Sequence, residues 1–343
     1  MKLAAQEAAG AGMVRRVLQA DRGDAGVRLD RVLLRRLADV PSLSRTRIQR
    51  WIEAGQVTVG GRRPARVSAR VAAGDEIAVT LPASPPPRRP APEPGRLDVL
   101  FEDAAWLALD KPAGVVVHPA YRHAAGTLLN VVLARAADEG WMPRLVHRLD
   151  KQTSGVLLVA KTADAHRALA QAWATGAVRK HYLAITWGAP PRPRGEIRLP
   201  LGRDPLDRRR VTVAATGGRD SRTRYEVVAR SRGLRAGLSL VHCELLTGRM
   251  HQVRVHLAAA GCPIVGDRVY GPARPPHLAD ARLAEASAAL PRHALHAWRL
   301  ALTLNPGPRR TLEAPVPADL RPLLEAAGID GDAELAALLA RRG

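Results

Sequence analysis

The segment Pro82–Gly95 (PASPPPRRPAPEPG) constrains the fold of this chain more than any other. Proline fixes φ and donates no backbone hydrogen bond, so a run this dense enters neither a helix nor a central strand. An extended, semi-rigid spacer is expected instead. It divides the 343 residues into a small N-terminal module and a large C-terminal domain with its own core. The expected boundaries are a flexible leader at 1–26, the module at 27–81, the linker at 82–95, the main domain at 96–325 and a tail at 326–343.

Charge narrows the class of partner. Lys and Arg number 53 against 32 Asp and Glu, a formal net charge of +21, which points to a polyanion. Arginine predominates, and arginine suits bidentate phosphate contacts and stacking on bases. The two cysteines, Cys243 and Cys262, are too few for a disulfide framework and lie in apolar stretches, as inert core thiols do. No apolar run approaches a membrane span, and 1–20 lacks the apolar centre of a secretory signal. A cytoplasmic chain without a membrane partner is expected.

In the module, Leu29–Leu34 opens an amphipathic helix, and Ser44 can cap a second over Arg45–Ala54, closed by Gly55. Val57–Val59 reads as a strand and Gly60-Gly61 as a hairpin turn, with further short strands at Val67–Val71 and Ile77–Val79. Arg45, Arg47 and Arg50 form a basic stripe on the second helix, placed to meet phosphate oxygens.

The main domain alternates short strands, Gly/Pro turns and a few helices. That pattern predicts an α+β fold with a mainly antiparallel mixed β-sheet flanked by helices. Thr162 or Asp164 can cap a helix through Trp173, and Val178–Trp187 alternates as a strand. The loop Val146–Gly155 (VHRLDKQTSG) sets one carboxylate, Asp150, between Arg148 and Lys151, just before the apolar run Val156–Ala160. A charged residue at the mouth of a buried strand is held rigidly and tuned by its neighbours, as an acid/base group or nucleophile must be. Most loop aspartates instead make a turn bond or a surface ion pair. The densest basic run, Gly202 through Arg208, Arg209 and Arg210 to Arg222 and Arg224, reads as an insertion that faces the polyanion and sets affinity rather than specificity.

These segments together resemble the RluA-type pseudouridine synthases. Lys111–Pro119 resembles the family's KPxGxxVHP strand, Val146–Gly155 its HRLDxxTSG loop, and Lys180–Ala184 its KxYxA strand. Leu246–Leu257, with Gly261–Asp267 and Tyr270-Gly271, resembles TGRxHQIRxHL…GxPIxGDxxYG, and Ala294–Ala297 its ALHA. The module resembles the alpha-L RNA-binding domain first known in ribosomal protein S-four. The matching pieces there are RLD at Arg28–Asp30, SRTRIQRWI at Ser44–Ile52, GQVTV at Gly55–Val59 and GDEI at Gly74–Ile77. The appendage and the segment Pro200–Arg210 look most like the large-subunit ribosomal synthase D subgroup, with the C subgroup next.

The resemblance implies isomerisation of uridine within RNA to pseudouridine, with no metal, redox change or nucleotide cofactor. The target base must leave its stack to be reached. Asp150 would attack the ribose or the ring, or remove a ribose proton. Arg254 would be the cation beside it, and Tyr182 would stack on the uracil or move a proton. Arg148 would fill the gap left by the flipped base, and Arg249 would contact RNA or fix its turn. A transfer-RNA enzyme of the same family and a non-catalytic RNA chaperone are the alternatives. The intact set Asp150, Tyr182 and Arg254 speaks against the chaperone. Spacings among His242, His251, His256, His293 and His296 match no usual zinc pattern. No G-x-S-x-G elbow accompanies His147, Asp150 and Ser154, which excludes a hydrolase triad. The absence of a long apolar surface stripe predicts a monomer.

Overall fold

A computed structural model describes residues 6–8, 13–37, 40, 43–82, 90–119, 125–205, 207, 210–231, 237–272, 280–304 and 309–341. The chain forms two compact units, Met1–Arg89 and Pro90–Gly343, and the division between them falls within the proline-rich segment of the sequence. The central part of that segment, 83–89, lies outside the described residues.

The first unit contains β1 (Gln6–Ala8), β2 (Met13–Gln19), α1 (Leu29–Arg36), α2 (Arg45–Glu53), β3 (Val57–Val59) and β4 (Glu76–Pro82). Its strands order as β1-β2-β4-β3. The expected flexible leader is corrected here, because Met13–Gln19 pairs antiparallel with β4 from Met13↔Pro82 to Gln19↔Glu76. Val67–Val71 forms no strand; it supplies only an isolated bridge, Arg28↔Arg70. Ser44 accepts the N–H of Arg47 at the start of α2, as its residue type foretold. Gly60 and Gly61, both with positive φ, make the tight turn that lets Val59 and Arg62 exchange backbone bonds. Leu29, Leu33, Ile48, Ile52, Val57 and Ile77 fill the core. Fully buried Asp30 accepts from Arg28 at 3.1 Å and Arg45 at 2.8 Å. Burial acts to raise its carboxyl, yet the two guanidiniums hold it at about 2.

The second unit begins with β5 (Asp98–Glu102), β6 (Trp106–Lys111), α3 (Leu128–Glu139), β7 (Arg144–Leu145), β8 (Ser154–Ala160), α4 (Ala163–Ala174) and β9 (Arg179–Trp187). It continues with β10 (Arg194–Arg198), β11 (Leu201–Arg203), β12 (Val211–Val213), β13 (Arg222–Arg230), β14 (Leu238–Leu245) and α5 (Gln252–Ala259). Then come α6 (Ala281–Ala289), β15 (Leu295–Thr303), β16 (Arg309–Glu313), α7 (Arg321–Ala326) and α8 (Gly331–Ala340). The large sheet orders as β10-β13-β14-β9-β15-β8-β6-β5, with β16 beside β15 and β7 beside β8. Its pairs are antiparallel except β15 with β8.

β8 is buried along its whole length because both faces are covered. Val156, Leu158 and Ala160 pack with Leu169 of α4, while Leu157 and Val159 pack with Leu128 and Val132 of α3. That explains an apolar run without alternation. The expected tail at 326–343 is also corrected: Asp330 caps α8 by accepting the Ala333 N–H. Leu335 and Leu338, three apart on one helical face, join the core of β9 and β14.

Candidate active site

The loop carrying Asp150 enters β8 near the middle of the large sheet. Four successive residues after Asp150 are each anchored from elsewhere in the chain. The Lys111 ammonium, fully buried, donates to the carbonyls of Pro112 (2.6 Å), Val115 (3.0 Å) and Lys151 (3.2 Å). Arg292 donates to the Gln152 carbonyl at 3.3 Å and is itself held by Asp319 at 2.6 and 2.8 Å. Thr153 Oγ1 lies 2.9 Å from His293 Nε2, and Ser154 Oγ lies 2.9 Å from His296 Nδ1. Burial lowers His293 to about 3 and His296 to about 4, so both rings are neutral near pH 7. Fixing a loop at every residue removes the freedom that would blur the position of its carboxylate.

Two donors approach one oxygen of Asp150. Arg254 Nη1 lies 3.5 Å from Oδ2, and His251 Nε2 lies 3.7 Å from it. The nearer partner of Arg254 is Asp267, bound by two hydrogen bonds of 2.7 and 2.9 Å. Asp267 also accepts the N–H groups of Val269 and Tyr270. Burial acts to raise the Asp267 carboxyl, but the Arg254 bonds outweigh it and hold the group below the usual carboxylate range. The Arg254 guanidinium also faces the Tyr270 ring at 4.9 Å. Burial, followed by the charge of Asp150, pushes the Tyr182 phenol well above its ordinary value.

Asp150, Tyr182 and Arg254 line one cavity of about 870 Å³, shared with Trp173, His251 and Arg249. The volume falls in the range of small-molecule sites, roughly 300–1,000 Å³. Arg148 also lines it and, like Arg249, is exposed at its rim. The Arg249 side chain reaches the Asp220 carbonyl at 3.3 Å. Arg45, Arg47 and Arg50 belong to the other unit. There Arg45 is tied to Asp30, Arg47 lies over Trp51 at 5.1 Å, and Arg50 is exposed. Arg210 donates to the Val269 carbonyl at 2.8 Å, while Arg208 and Arg209 lie outside the described residues. In the basic run, Arg222 pairs with Glu196 and Arg224 with Glu244, which offsets part of its charge.

Sequence reasoning gave no role to Asp267, Tyr270 or His251, although their motif was in view. The spacing from Arg254 to Asp267 suits no helical pair, so only the fold joins them.

Residues 105–259 match the RNA pseudouridylate synthase family and residues 27–77 match the S4 domain. The chain is 41% identical to ribosomal large subunit pseudouridine synthase D of Nitrosomonas europaea, over 88% of this chain and 85% of that one. It is 39% identical to the protein of that name from Neisseria meningitidis serogroup A, over 89% of this chain and 81% of the relative. Among solved structures it resembles human RNA pseudouridylate synthase domain containing 4, with TM-score 0.55 and 25% identity over 67% of this chain and 93% of that one. An Asp loop fixed at the centre of a mixed sheet, an arginine-lined cavity and these likenesses converge: the chain belongs to the RluA-type RNA pseudouridine synthases, a family of isomerases, and carries an S4 RNA-binding domain.

Proposed function

We propose that this enzyme converts specific uridines of large-subunit ribosomal RNA to pseudouridine, acting as a cytoplasmic monomer with Asp150, Tyr182 and Arg254 as its catalytic residues. The observation that carries the mechanism is their convergence on one cavity. The choice of RNA rests on relatives named for the large subunit that align over most of the chain. Among the described residues no helix is long and apolar enough to cross a membrane.

The reaction balances within the nucleotide. The bond from N1 to the ribose breaks, a bond from C5 forms, C5 loses its proton and N1 gains one. The target uridine leaves its stack to enter the cavity. Arg148 at the rim fills the space it leaves, while Arg249 and the basic side chains of the S4 domain hold the phosphates. Asp150 attacks the ribose or the ring, or takes a ribose proton. Arg254 supplies the positive charge that a partly buried carboxylate needs. Tyr182 is kept protonated by burial, so its hydroxyl can donate while its ring stacks on the uracil.

Pseudouridine mapping by carbodiimide labelling and primer extension tests this reading. Cells lacking the protein should lose specific large-subunit sites, and wild type but not Asp150→Asn should restore them. Purified Asp150→Asn should bind the RNA about as tightly as wild type. Restoration by Asp150→Asn would refute the role of Asp150, and loss confined to transfer RNA would refute the substrate.

A further inference from the structure

His251 is the one non-glycine residue with positive φ among the described residues, at φ 56 and ψ 17. Such a conformation persists only where the surroundings enforce it, and it concentrates at functional positions. It places the imidazole between Tyr270 and Asp150.

The bonds of Tyr270 and the acceptor character of Asp150 together favour one tautomer of the ring. The Val211 N–H donates to the Tyr270 hydroxyl oxygen at 3.0 Å. That oxygen also lies 2.8 Å from His251 Nδ1. An amide nitrogen can only donate, so the oxygen accepts there, and its O–H is available to Nδ1. The Asp150 carboxylate beside Nε2 can only accept, which favours the neutral ring with its proton on Nε2 and Nδ1 bare to take the Tyr270 O–H. Burial keeps the imidazole below its usual pKa despite the opposing charge of Asp150. Nε2 is the atom 3.7 Å from Asp150 Oδ2, the same oxygen that Arg254 approaches. The chain of donors therefore runs one way, from Val211 through Tyr270 and His251 towards Asp150.

We propose that His251 is a positioning residue: its Nε2–H, with Arg254, fixes Oδ2 of Asp150 and leaves Oδ1 to meet the target nucleotide. The inference rests on the reading of Asp150 given above. Tyr270 helps set the tautomer, and the β11–β12 hairpin sets Tyr270. Val211 opens β12, and the Arg210 guanidinium lies 5.8 Å from the Tyr270 ring while bonded to the Val269 carbonyl.

Single-turnover tritium release from a [5-³H]uridine-labelled large-subunit rRNA transcript tests this, with RNA affinity and thermal melting measured on each full-length variant. His251→Gly accepts the left-handed backbone and removes the ring. It should slow release by about 100-fold, the cost of misplacing a reacting group, and leave affinity within about twofold, the scatter of independent effects. Added imidazole should recover part of the rate. Tyr270→Phe should slow release by up to about tenfold, the worth of one hydrogen bond. The double variant should be no slower than His251→Gly, because both act through one chain. A wild-type rate in His251→Gly, a rate loss matched by lost affinity, no imidazole rescue, or multiplying effects would each overturn the inference. If His251→Gly fails to fold, a wild-type rate in Tyr270→Phe overturns it. Asp150→Asn separates the two readings. If it is inactive while His251→Gly is fast, only the role of His251 falls; if it is active, the reading of Asp150 falls first.

Discussion

Replacing Asp267 by Asn separates the structural from the electrostatic share of the Arg254 contact. The Asp267 side chain is fully buried and that of Arg254 is 7% exposed, so solvent screens the pair little. Asn keeps one oxygen for the N–H groups of Val269 and Tyr270, but it turns an NH₂ towards the guanidinium and removes the charge. Removing one partner of a buried pair costs about 3–5 kcal/mol, because the other charge is left uncompensated. At about 2–4 °C per kcal/mol for a domain of this size, the melting temperature should fall by about 6 to 20 °C. Replacing both partners by apolar residues of similar volume (Asp267→Leu with Arg254→Met) removes the buried pair as a unit and should recover part of that loss, the remainder being the Asp150 carboxylate and the Val269 and Tyr270 N–H groups left without their partners. Calorimetry or circular dichroism on the two variants reads the effect directly. A loss below about 1 kcal/mol in Asp267→Asn would place the pair among weak, exposed bridges and refute the argument. So would a double variant no more stable than the single.

Two further outcomes follow from the core of the larger unit. Gly155 has φ +115, and a Cβ there would lie 2.2 Å from the Ala297 carbonyl oxygen. The clash is with backbone, so Gly155→Ala should force β8 from β15 and cost more than about 4 kcal/mol; a soluble protein with a wild-type melt would refute this. Burial lowers His147 and His293 to about 3 and His296 to about 4, and His147 Nε2 accepts the Leu158 N–H at 3.0 Å. The unfolded chain binds more protons than the native one between those values and about 6.5. Stability should therefore be complete above about pH 6.5 and fall with acid by up to about 1.4 kcal/mol per pH unit for each ring. Urea melts at pH 7.5 and 5.5 that coincide would contradict it.

What the sequence disclosed follows the range of the forces involved. The cap of α2 by Ser44, the Gly60-Gly61 turn and the buried strand after Asp150 depend on residues a few positions apart, and each is legible. β2 was hidden for two reasons. Arg15 and Arg16 interrupt its apolar residues, and its partner β4 lies some 60 residues on. The C-terminal helix was hidden because a short Ala- and Leu-rich stretch gains stability only from the core it packs against. Asp267 reads the same in the chain whether it faces water or Arg254.

The site gathers these long-range links in one place, which explains why segments scattered from Lys111 to His296 belong together. Lys111 anchors the carbonyl after Asp150, while Arg292, His293 and His296 anchor the next three residues. The segment after β14 contributes His251, Arg254, Asp267 and Tyr270 on the other side. A lone acid in a loop would be ordinary, because a flexible carboxylate finds water or a surface cation. It becomes a candidate nucleophile when the four residues after it are each held from elsewhere in the chain and both donors beside it address one oxygen. The motifs are then not independent signatures of a family. Lys111, Arg292, His293, His296, His251 and Arg254 come from several of them and all bear on one loop and its carboxylate, and the loss of any one of these supports should show as lost rate before it shows as lost RNA binding.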